Sequence, residues 1–299
     1  MKSIQGRTAV ITGAASGFGL EVAKVAASEG MRVVLADVEV KALEEAELLV
    51  RALGAETLAV RTDVSQAASV EALASATLER FGAPHFVFNN AGVGAGGLIW
   101  ENSAADWEWV FGVNVMGVAH GVRVFTPLML KAASEDASYE GHITNTASMA
   151  GLQSAPAVGV YNASKCAVVG LTETLFHDLS LVTTQIGVSL LCPGMVPTGI
   201  ERSERNRHTT ASLPLTMSQQ VAKYMSTQAM RAAKTSASDV ALMVMQALRD
   251  KQFYVITHPK ALQSVQMRME DILQGRSPTD PFAQYPGVRE QLRAALNQP

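Results

Sequence analysis

Short runs of β-branched and apolar residues alternate with longer amphipathic segments through most of this chain. Such alternation is typical of parallel strands joined by crossover helices, because a helix returns the chain to the start of the next strand. The predicted strands are Thr8–Ile11, Arg32–Ala36, Thr57–Val60, Phe86–Asn90, His142–Thr146, Gly187–Leu191 and Phe253–Ile256. The sequence therefore predicts an α/β fold with a doubly wound parallel sheet of about seven strands and helices on both faces.

Length and charge narrow the classes of function. The 299 residues are enough for one large domain with a sizeable core, and the formal net charge of −3 provides no basic field for nucleic acid. The first residues lack the pattern of a secretory signal, and no apolar run reaches the ~20 residues that cross a bilayer. We expect a cytoplasmic protein that binds neither nucleic acid nor membrane.

Cysteine and histidine patterns predict neither a disulfide framework nor a metal site. Cys166 and Cys192 are the only cysteines, and the six histidines form no close pair of ligand spacing. We interpret both cysteines as buried thiols, although Cys166 adjoins Lys165. No metal is expected.

A glycine-rich turn follows the first predicted strand. Gly13, Gly17 and Gly19 precede a helix predicted over Gly19–Glu29, so unpaired backbone N–H groups can face an anion that approaches closely. Asp37 ends the second strand, about twenty residues further on, where a carboxylate can bind ribose hydroxyls and repel a 2′-phosphate. This pattern favours NAD over NADP. The alternatives are an ordinary tight turn and a carboxylate that caps the next helix.

Tyr161 and Lys165 lie four residues apart in a predicted helix and therefore share a face. A lysine ammonium beside a phenol favours its ionised form, and lowering a tyrosine pKa from ~10 to ~7 needs roughly 4 kcal/mol. One charge about 4 Å away supplies at most about that amount. We therefore predict that Tyr161 is an acid/base, with Ser148 at the end of a strand as a hydrogen-bond donor. The alternatives are a half-buried aromatic and an ordinary loop hydroxyl.

Taken together, these motifs resemble those of the classical short-chain dehydrogenase/reductase family, in order and in spacing. The resemblance is strong over residues 4–200. The residues that carry it are Thr12–Gly19, Asn89-Asn90-Ala91-Gly92, Asn114, Ser148, Tyr161 with Lys165, and Pro193-Gly194. It implies a Rossmann-type fold, an NAD cofactor and a homodimer or homotetramer.

The resemblance also implies the roles of individual residues. The implied catalytic set is Asn114, Ser148, Tyr161 and Lys165, in which Asn114 helps to hold a water chain that leads from the lysine to solvent. The implied cofactor-binding set is Gly13, Ser16, Gly17, Phe18, Gly19, Asp37, Asp63, Val64, Asn90, Gly92, Tyr161, Lys165, Pro193, Gly194, Val196 and Thr198. In that set Asp63 and Val64 flank the adenine, while Val196 and Thr198 hold the carboxamide of the nicotinamide.

We expect one domain over residues 1–299. Residues 4–198 would form the cofactor-binding and catalytic core, 199–252 a substrate lid, and 253–299 the last strand and a C-terminal extension. Within the extension, Pro259–Leu273 and Val288–Leu296 are predicted helices, and it would form part of the substrate pocket or of a subunit interface. The predicted substrate-binding residues are Ser148, Met149, Leu152, Val158, Tyr161 and Met195.

The predicted function is an NAD-dependent oxidoreductase that interconverts a secondary alcohol and a ketone, on a bulky hydrophobic or aromatic substrate. Three alternatives stay open. The first is a 3-oxoacyl-thioester reductase of the same family, which Asp37 disfavours because such reductases generally use NADP. The second is a catalytically silent NAD-binding regulatory protein, which would not need the Ser148, Tyr161 and Lys165 set. The third is an epimerase or dehydratase of nucleotide sugars.

Overall fold

Seven parallel strands form the centre of the computed structural model, which describes residues 1, 3–207, 214–283 and 286–297. The strands lie in the order β3-β2-β1-β4-β5-β6-β7. Their bounds are β1 Thr8–Thr12, β2 Arg32–Asp37, β3 Thr57–Arg61, β4 Phe86–Asn89, β5 Gly141–Thr146, β6 Ile186–Cys192 and β7 Tyr254–Ile256. The predicted fold class is confirmed.

Helices cover both faces of the sheet. Their bounds are α1 Gly17–Ser28, α2 Val40–Arg51, α3 Ala67–Phe81, α4 Ala104–Phe111, α5 Gly117–Glu135, α6 Met149–Leu152, α7 Gly159–Val182, α8 Met217–Ala232, α9 Ala237–Asp250, α10 Leu262–Leu273 and α11 Pro286–Leu296. One apolar cluster joins the sheet to α1, α2 and α9, and a second joins it to α3, α5 and α7. Strands with two covered faces need apolar residues throughout, and all five residues of β1 are buried.

The strand order reverses between β1 and β4. Strand β1 pairs with β2 on one side and with β4 on the other, so the connections leave β1 in opposite directions and open a crevice at the carboxyl ends of the strands. In open α/β sheets, ligands bind in this crevice. The glycine turn follows β1 and therefore lies at its centre.

The polar residues Glu135, Asp136 and Glu140 predict an exposed loop over Ala133–Gly141, and this prediction is wrong at both ends. Helix α5 continues to Glu135 because Ala133 completes its apolar face against the second cluster, and β5 already begins at Gly141. Only a short turn remains between them. Within that turn Tyr139 is buried, and its hydroxyl donates a hydrogen bond to the carbonyl of Pro84.

The helical stretch Ala104–Glu135 is long and apolar enough to cross a membrane by length and composition alone. In this fold it is divided into α4, a π-helical turn at Gly112–Met116, and α5. The inner face of α5 packs Phe125 and Met129 into the second cluster. The stretch therefore contributes to the core.

Beyond β6 the chain is mainly helical. A 3₁₀ turn at Ile200–Asn206 precedes α8, and residues 208–213 of the predicted lid lie outside the described residues. In the extension, a 3₁₀ turn at Pro259–Ala261 leads into α10, and α11 follows. Both predicted helices of the extension are present.

Candidate active site

Ser148, Tyr161 and Lys165 meet beside the carboxyl end of β5. Ser148 comes two residues after β5 and caps α6, because its Oγ accepts a hydrogen bond of 3.1 Å from the amide of Ala150. A short loop then leads into α7, whose first turn carries Tyr161 and whose second carries Lys165. The Ser148 hydroxyl lies near enough to the Tyr161 phenol to lower its pKa. The predicted trio therefore lies in one place.

Lys165 is held by the backbone of β5. Its Nζ donates a hydrogen bond of 2.9 Å to the carbonyl oxygen of Thr146 and lies 5.6 Å from the centre of the Tyr161 ring. The side chain is buried, and this burial lowers the pKa of Lys165 to about 8. Near neutral pH Lys165 is therefore still protonated, although its pKa is only about one unit higher, and the ammonium lies beside the Tyr161 ring.

The expected lowering of the Tyr161 pKa by Lys165 is wrong for the protein alone. Burial raises the pKa of the Tyr161 phenol, and the Ser148 hydroxyl opposes that rise. Lys165 donates a hydrogen bond to the Thr146 carbonyl and lies over the ring of Tyr161. Its charge therefore does not outweigh the cost of desolvating the phenolate. An acid/base role at neutral pH therefore needs a further positive charge beside the phenol.

Replacing Lys165 by methionine is expected to change the pH dependence of stability. The ordinary pKa is 10.5 and the folded pKa is about 8, so between these values the unfolded chain binds a proton that the folded protein lacks. Wild-type stability should therefore rise with pH across this window, by up to about 3 kcal/mol. Chemical unfolding of wild type and Lys165→Met from about pH 7 to 10 measures the difference.

Lys131→Met is the matched control, because that lysine is exposed on α5. Relative to wild type, Lys165→Met should be most favourable at low pH and lose this advantage as pH rises. Equal pH slopes for Lys165→Met and wild type would contradict a buried ammonium.

Asn114 lies in the π-helical turn and is fully buried, so it is not a surface amide. Its Oδ1 accepts a bond of 2.8 Å from the amide of Val93, and its Nδ2 donates to Val93 O and to Ser164 Oγ, both at 3.0 Å. A Cβ on Gly92 would lie 3.3 Å from Asn114 Oδ1 and 3.6 Å from Lys165 Nζ. Asn114 thus adjoins the lysine, and the sequence alone did not reveal its partner Ser164.

The glycine turn is packed too closely for other residues. A Cβ on Gly19 would lie 2.1 Å from the carbonyl oxygen of Gly13, and a Cβ on Gly17, where φ is +53°, would lie 2.9 Å from Thr198 Cβ. Ser16 is the N-cap of α1, and within the described part of the chain its hydroxyl caps no first-turn N–H group. The backbone amides in the first turn of α1 therefore face the crevice, where the N-terminus of the helix favours an anion.

Asp37 is oriented by two backbone amides. Ala15 N donates to Oδ2 at 3.0 Å and Glu39 N donates to Oδ1 at 3.1 Å. Burial raises the pKa of Asp37, and these two hydrogen bonds oppose the rise. The carboxylate lies between the glycine turn and the loop after β2, and Glu39 is the N-cap of α2. Asp37 is therefore not the N-cap of α2.

The remaining predicted cofactor residues make different contacts within the protein. Asn90 Nδ2 donates to Thr12 O at 3.0 Å, so it holds the turn, and the buried Val196 packs in the first cluster. Val64 is buried in the second cluster, while Asp63 Oδ1 accepts from Ser65. Pro193 and Gly194 follow β6, and Thr257 Oγ1 accepts from Gly194 N at 3.1 Å.

Two of the predicted substrate residues support the site from behind. Met149 and Leu152 are buried in an apolar cluster with Val168 of α7, so they stabilise the turn that carries Ser148. Val158 is partly exposed and Met195 is 48% exposed. These last two remain accessible on the substrate side.

The segment Ile200–Arg207, here called the strap, crosses the crevice. At one end Arg205 Nε donates to Glu39 Oε2 at 3.1 Å and Asn206 Nδ2 to Glu39 Oε1 at 3.0 Å. At the other side Ser203 Oγ accepts from Gly94 N at 3.1 Å. Glu39 follows β2 and Gly94 follows β4, and β1 lies between these strands. The strap therefore passes over the end of β1.

Arg207 adds another ion pair to the strap. It contacts Asp106 Oδ1 at 2.6 Å and lies over the Trp109 ring at 5.3 Å from its centre. The Arg205 hydrogen bond is the main cause that lowers the pKa of Glu39. Sequence reasoning missed these anchors, because only the charged character of the segment was visible and its partners are far away in the chain.

Within the described ranges, no group of three or more His, Cys, Asp or Glu side chains is arranged to hold a metal ion. Cys166 and Cys192 are free thiols, and burial raises the pKa of Cys192 to about 12.

Comparisons with known proteins agree with this geometry. A short-chain dehydrogenase/reductase from Burkholderia phymatum, solved in complex with NAD, is 54% identical, with a TM-score of 0.91 over 94% of this chain and 99% of that chain. The CLA biosynthesis dehydrogenase/reductase of Lactiplantibacillus plantarum is 33% identical over 93% of this chain and 97% of its own length. The C alpha-dehydrogenase of Sphingobium sp. strain NBRC 103272 / SYK-6 is 27% identical over 99% of this chain and 94% of its own length.

The model of the short chain dehydrogenase family matches residues 7–209. That range contains the glycine turn, Asp37 and the Ser148, Tyr161 and Lys165 trio, which the fold brings to one edge of the sheet. The predicted resemblance is confirmed, and the chain belongs to the short-chain dehydrogenase family of oxidoreductases.

Proposed function

We propose that the protein is an NAD-dependent dehydrogenase that interconverts a secondary alcohol and a ketone on a bulky hydrophobic substrate. The observation that carries this proposal is that Ser148, Tyr161 and Lys165 meet beside the carboxyl end of β5, with Lys165 Nζ 5.6 Å from the centre of the Tyr161 ring. A hydroxyl donor, an acid/base and a cation are what the oxygen of such a substrate needs. The names of two relatives, a dehydrogenase/reductase and a dehydrogenase, support the same class of reaction.

The residues around the crevice fit a dinucleotide. The glycine turn has no Cβ atoms that would keep a pyrophosphate away from the backbone. The first amides of α1 would donate hydrogen bonds to that pyrophosphate. Asp37, held by two amides, would bind the adenosine ribose hydroxyls, which favours NAD over NADP. The relative in complex with NAD supports this assignment.

Each residue of the trio has a separate task. Ser148 donates a hydrogen bond to the substrate oxygen and stabilises negative charge that develops there. Tyr161 removes the proton from that oxygen in oxidation and returns it in reduction. Bound NAD supplies a hydride acceptor and a positive charge in the oxidised form. Lys165 supplies the second positive charge, and together they would offset the desolvation that raises the Tyr161 pKa.

Asn114 would connect Lys165 to the network behind it. It is fixed between the Val93 backbone and Ser164, and it adjoins the lysine across Gly92. A proton taken by Tyr161 must reach solvent, and a chain of buried polar groups and water provides that route.

The division into a core over 4–198, a lid over 199–252 and an extension over 253–299 is part of the same proposal. The ion pairs of the strap support the role of 199–252 as a cover. Assembly as a homodimer or homotetramer and a cytoplasmic location stay predictions from the sequence.

A spectrophotometric screen tests the function. The purified protein is mixed with NAD and a panel of secondary alcohols that range from 2-butanol to 1-phenylethanol and larger aromatic alcohols. NADH should form with at least one member of the panel, and faster with the bulky members. A protein that binds NAD tightly but forms no NADH with any member would favour the regulatory alternative.

Glu39→Gln is expected to weaken NADH binding by about two- to fivefold, because a partly exposed ion pair contributes about 0.2–1 kcal/mol. Loss of the bond to Arg205 releases the strap from the adenosine side of the crevice. NADH fluorescence gives the Kd. Glu47→Gln is the matched control, since Glu47 pairs with Arg51 along the same helix.

Charge exchange provides the stricter comparison for the strap. Glu39→Arg and Arg205→Glu should each weaken NADH binding, and the double variant should recover most of it. An unchanged Kd in both single variants would show that this contact does not hold the strap over the cofactor.

A further inference from the structure

The C-terminal extension packs on the loop that connects Ser148 with Tyr161. From α10, Arg268 Nη1 donates a hydrogen bond of 3.0 Å to the carbonyl oxygen of Leu152. Val265 of the same helix packs on the apolar cluster that contains Met149 and Leu152. Helix α10 therefore supports the beginning of the loop, on the side of Ser148.

Helix α11 contacts the other end of this loop. Leu292 is 7% exposed and forms a buried cluster with Ala157 and with Ala222 of α8. Phe282 and Leu296 pack against the same cluster. The extension thus reaches within four residues of Tyr161, although Leu292 is far from it in sequence.

Ala157 has a backbone conformation that its neighbours must maintain. Its φ is +60°, in the left-handed region that side chains other than glycine rarely adopt. Its carbonyl accepts a hydrogen bond of 2.8 Å from Gly97 N, and its side chain shares a buried apolar cluster with Leu292. Strained residues of this kind persist only where the surroundings fix them, and they cluster at functional sites.

The space beside Ala157 is tightly closed. A Cβ on Gly96 would lie 2.5 Å from Ala222 Cβ, and a Cβ on Gly97 would lie 2.6 Å from Gln219 Cγ. No space therefore remains between the loop after β4, helix α8 and the Ala157 turn.

We propose that Leu292 is a positioning residue that determines substrate size: through Ala157, helix α11 fixes the wall of the pocket in front of Ser148 and Tyr161. This inference rests on the proposed function and assigns a role to the extension. The substrate class that it selects is apolar secondary alcohols, with an upper size limit set by the Leu292, Ala157 and Ala222 contact. A shorter side chain at 292 lets the wall retreat.

The first readout does not depend on activity. Hydrogen exchange of the amides in residues 153–161 is measured in wild type, in Leu292→Ala and in Leu273→Ala, whose leucine is 85% exposed on α10. Leu292→Ala should accelerate exchange of this segment by at least about tenfold, because local opening becomes easier. Leu273→Ala should match wild type. Equal exchange in all three proteins would overturn the positioning role.

The second readout is substrate size. The ratio of kcat/KM for 1-phenylethanol to that for 2-butanol should rise by about tenfold in Leu292→Ala, a typical effect of enlarging an apolar pocket. The change should lie in KM, and the NADH Kd should stay constant because Asp37 and the glycine turn are elsewhere in the crevice. Faster exchange with an unchanged ratio would overturn the size-determining role.

A milder variant and a wild-type control separate the possible failures. If Leu292→Ala does not fold, Leu292→Val is measured in the same two ways, with smaller changes expected in the same directions. Absence of NADH formation by the wild type with every alcohol would refute the proposed function, whereas the exchange measurement still decides whether Leu292 positions the loop.

Discussion

Replacement of Tyr161 by phenylalanine is expected to reduce kcat by at least about 100-fold, because a general acid/base contributes about 10²–10⁴-fold to such a rate. The variant loses only the hydroxyl that exchanges the proton with the substrate oxygen. Its partner Ser148 keeps the bond from Ala150 N, and Lys165 keeps the bond to Thr146 O, so the local structure should survive. Steady-state NADH formation gives kcat, and NADH fluorescence gives the Kd.

Tyr224→Phe is the matched control for this prediction, because Tyr224 is 66% exposed on α8. The control should retain wild-type kcat, and both variants should bind NADH within about twofold of wild type, since neither change removes a charge. A Tyr161→Phe enzyme that keeps more than about a tenth of wild-type kcat would contradict the assigned role.

Asp37→Ser is expected to lower the preference for NAD over NADP by at least about tenfold, which corresponds to about 1.4 kcal/mol. Two like charges about 4 Å apart at an effective dielectric of ~20, such as the Asp37 carboxylate and a 2′-phosphate, repel by about 4 kcal/mol. Solvent screening reduces this repulsion, so the expected change in preference is smaller than that figure. The change should come chiefly from better NADP binding, because repulsion of the 2′-phosphate disappears. The kcat/KM values with both cofactors measure the ratio.

Asp178→Ser provides the control for the loss of one negative charge, since Asp178 is exposed on α7. It should leave the cofactor ratio unchanged. If Asp37→Ser and Asp178→Ser have the same ratio as wild type, Asp37 does not select the cofactor, and the amides of Ala15 and Glu39 would merely order a turn.

Much of the fold could be predicted because its determinants are local. Alternation of apolar runs located all seven strands to within about two residues of their bounds. The glycine turn was recognisable since its residues adjoin each other, and the four-residue interval placed Tyr161 and Lys165 on one face of α7. Asn114 followed only from the resemblance to the family.

The features that could not be predicted depend on distant contacts. Glu39 and Arg205 are separated by 166 residues, and nothing in either segment specifies the pairing. The left-handed Ala157 has its contacts with Gly97 and the Leu292 cluster, which are distant in sequence, and its own residue type gives no signal of this conformation. The Tyr161 pKa depends on burial, which a helical interval does not report. Helix α5 continues into the predicted loop Ala133–Gly141 because Ala133 packs in the second apolar cluster.

The pH dependence of the Tyr161 environment offers a further comparison. Burial raises the phenol pKa and lowers the Lys165 pKa to about 8, so without cofactor the phenol stays protonated near neutral pH and the ammonium is lost only as pH rises through about 8. The catalytic state needs the reverse for the phenol. Binding of a cationic nicotinamide beside this pair is the charge change that would make Tyr161 a base.

The most direct test of the central claim is NADH formation by wild type and Tyr161→Phe, side by side, with NAD and the secondary alcohol that the wild type oxidises fastest. We predict that the wild type forms NADH, and that the variant binds NADH equally well but turns over at least about 100-fold more slowly. Comparable rates in the two proteins, or no NADH from the wild type with any alcohol of the panel, would contradict the account.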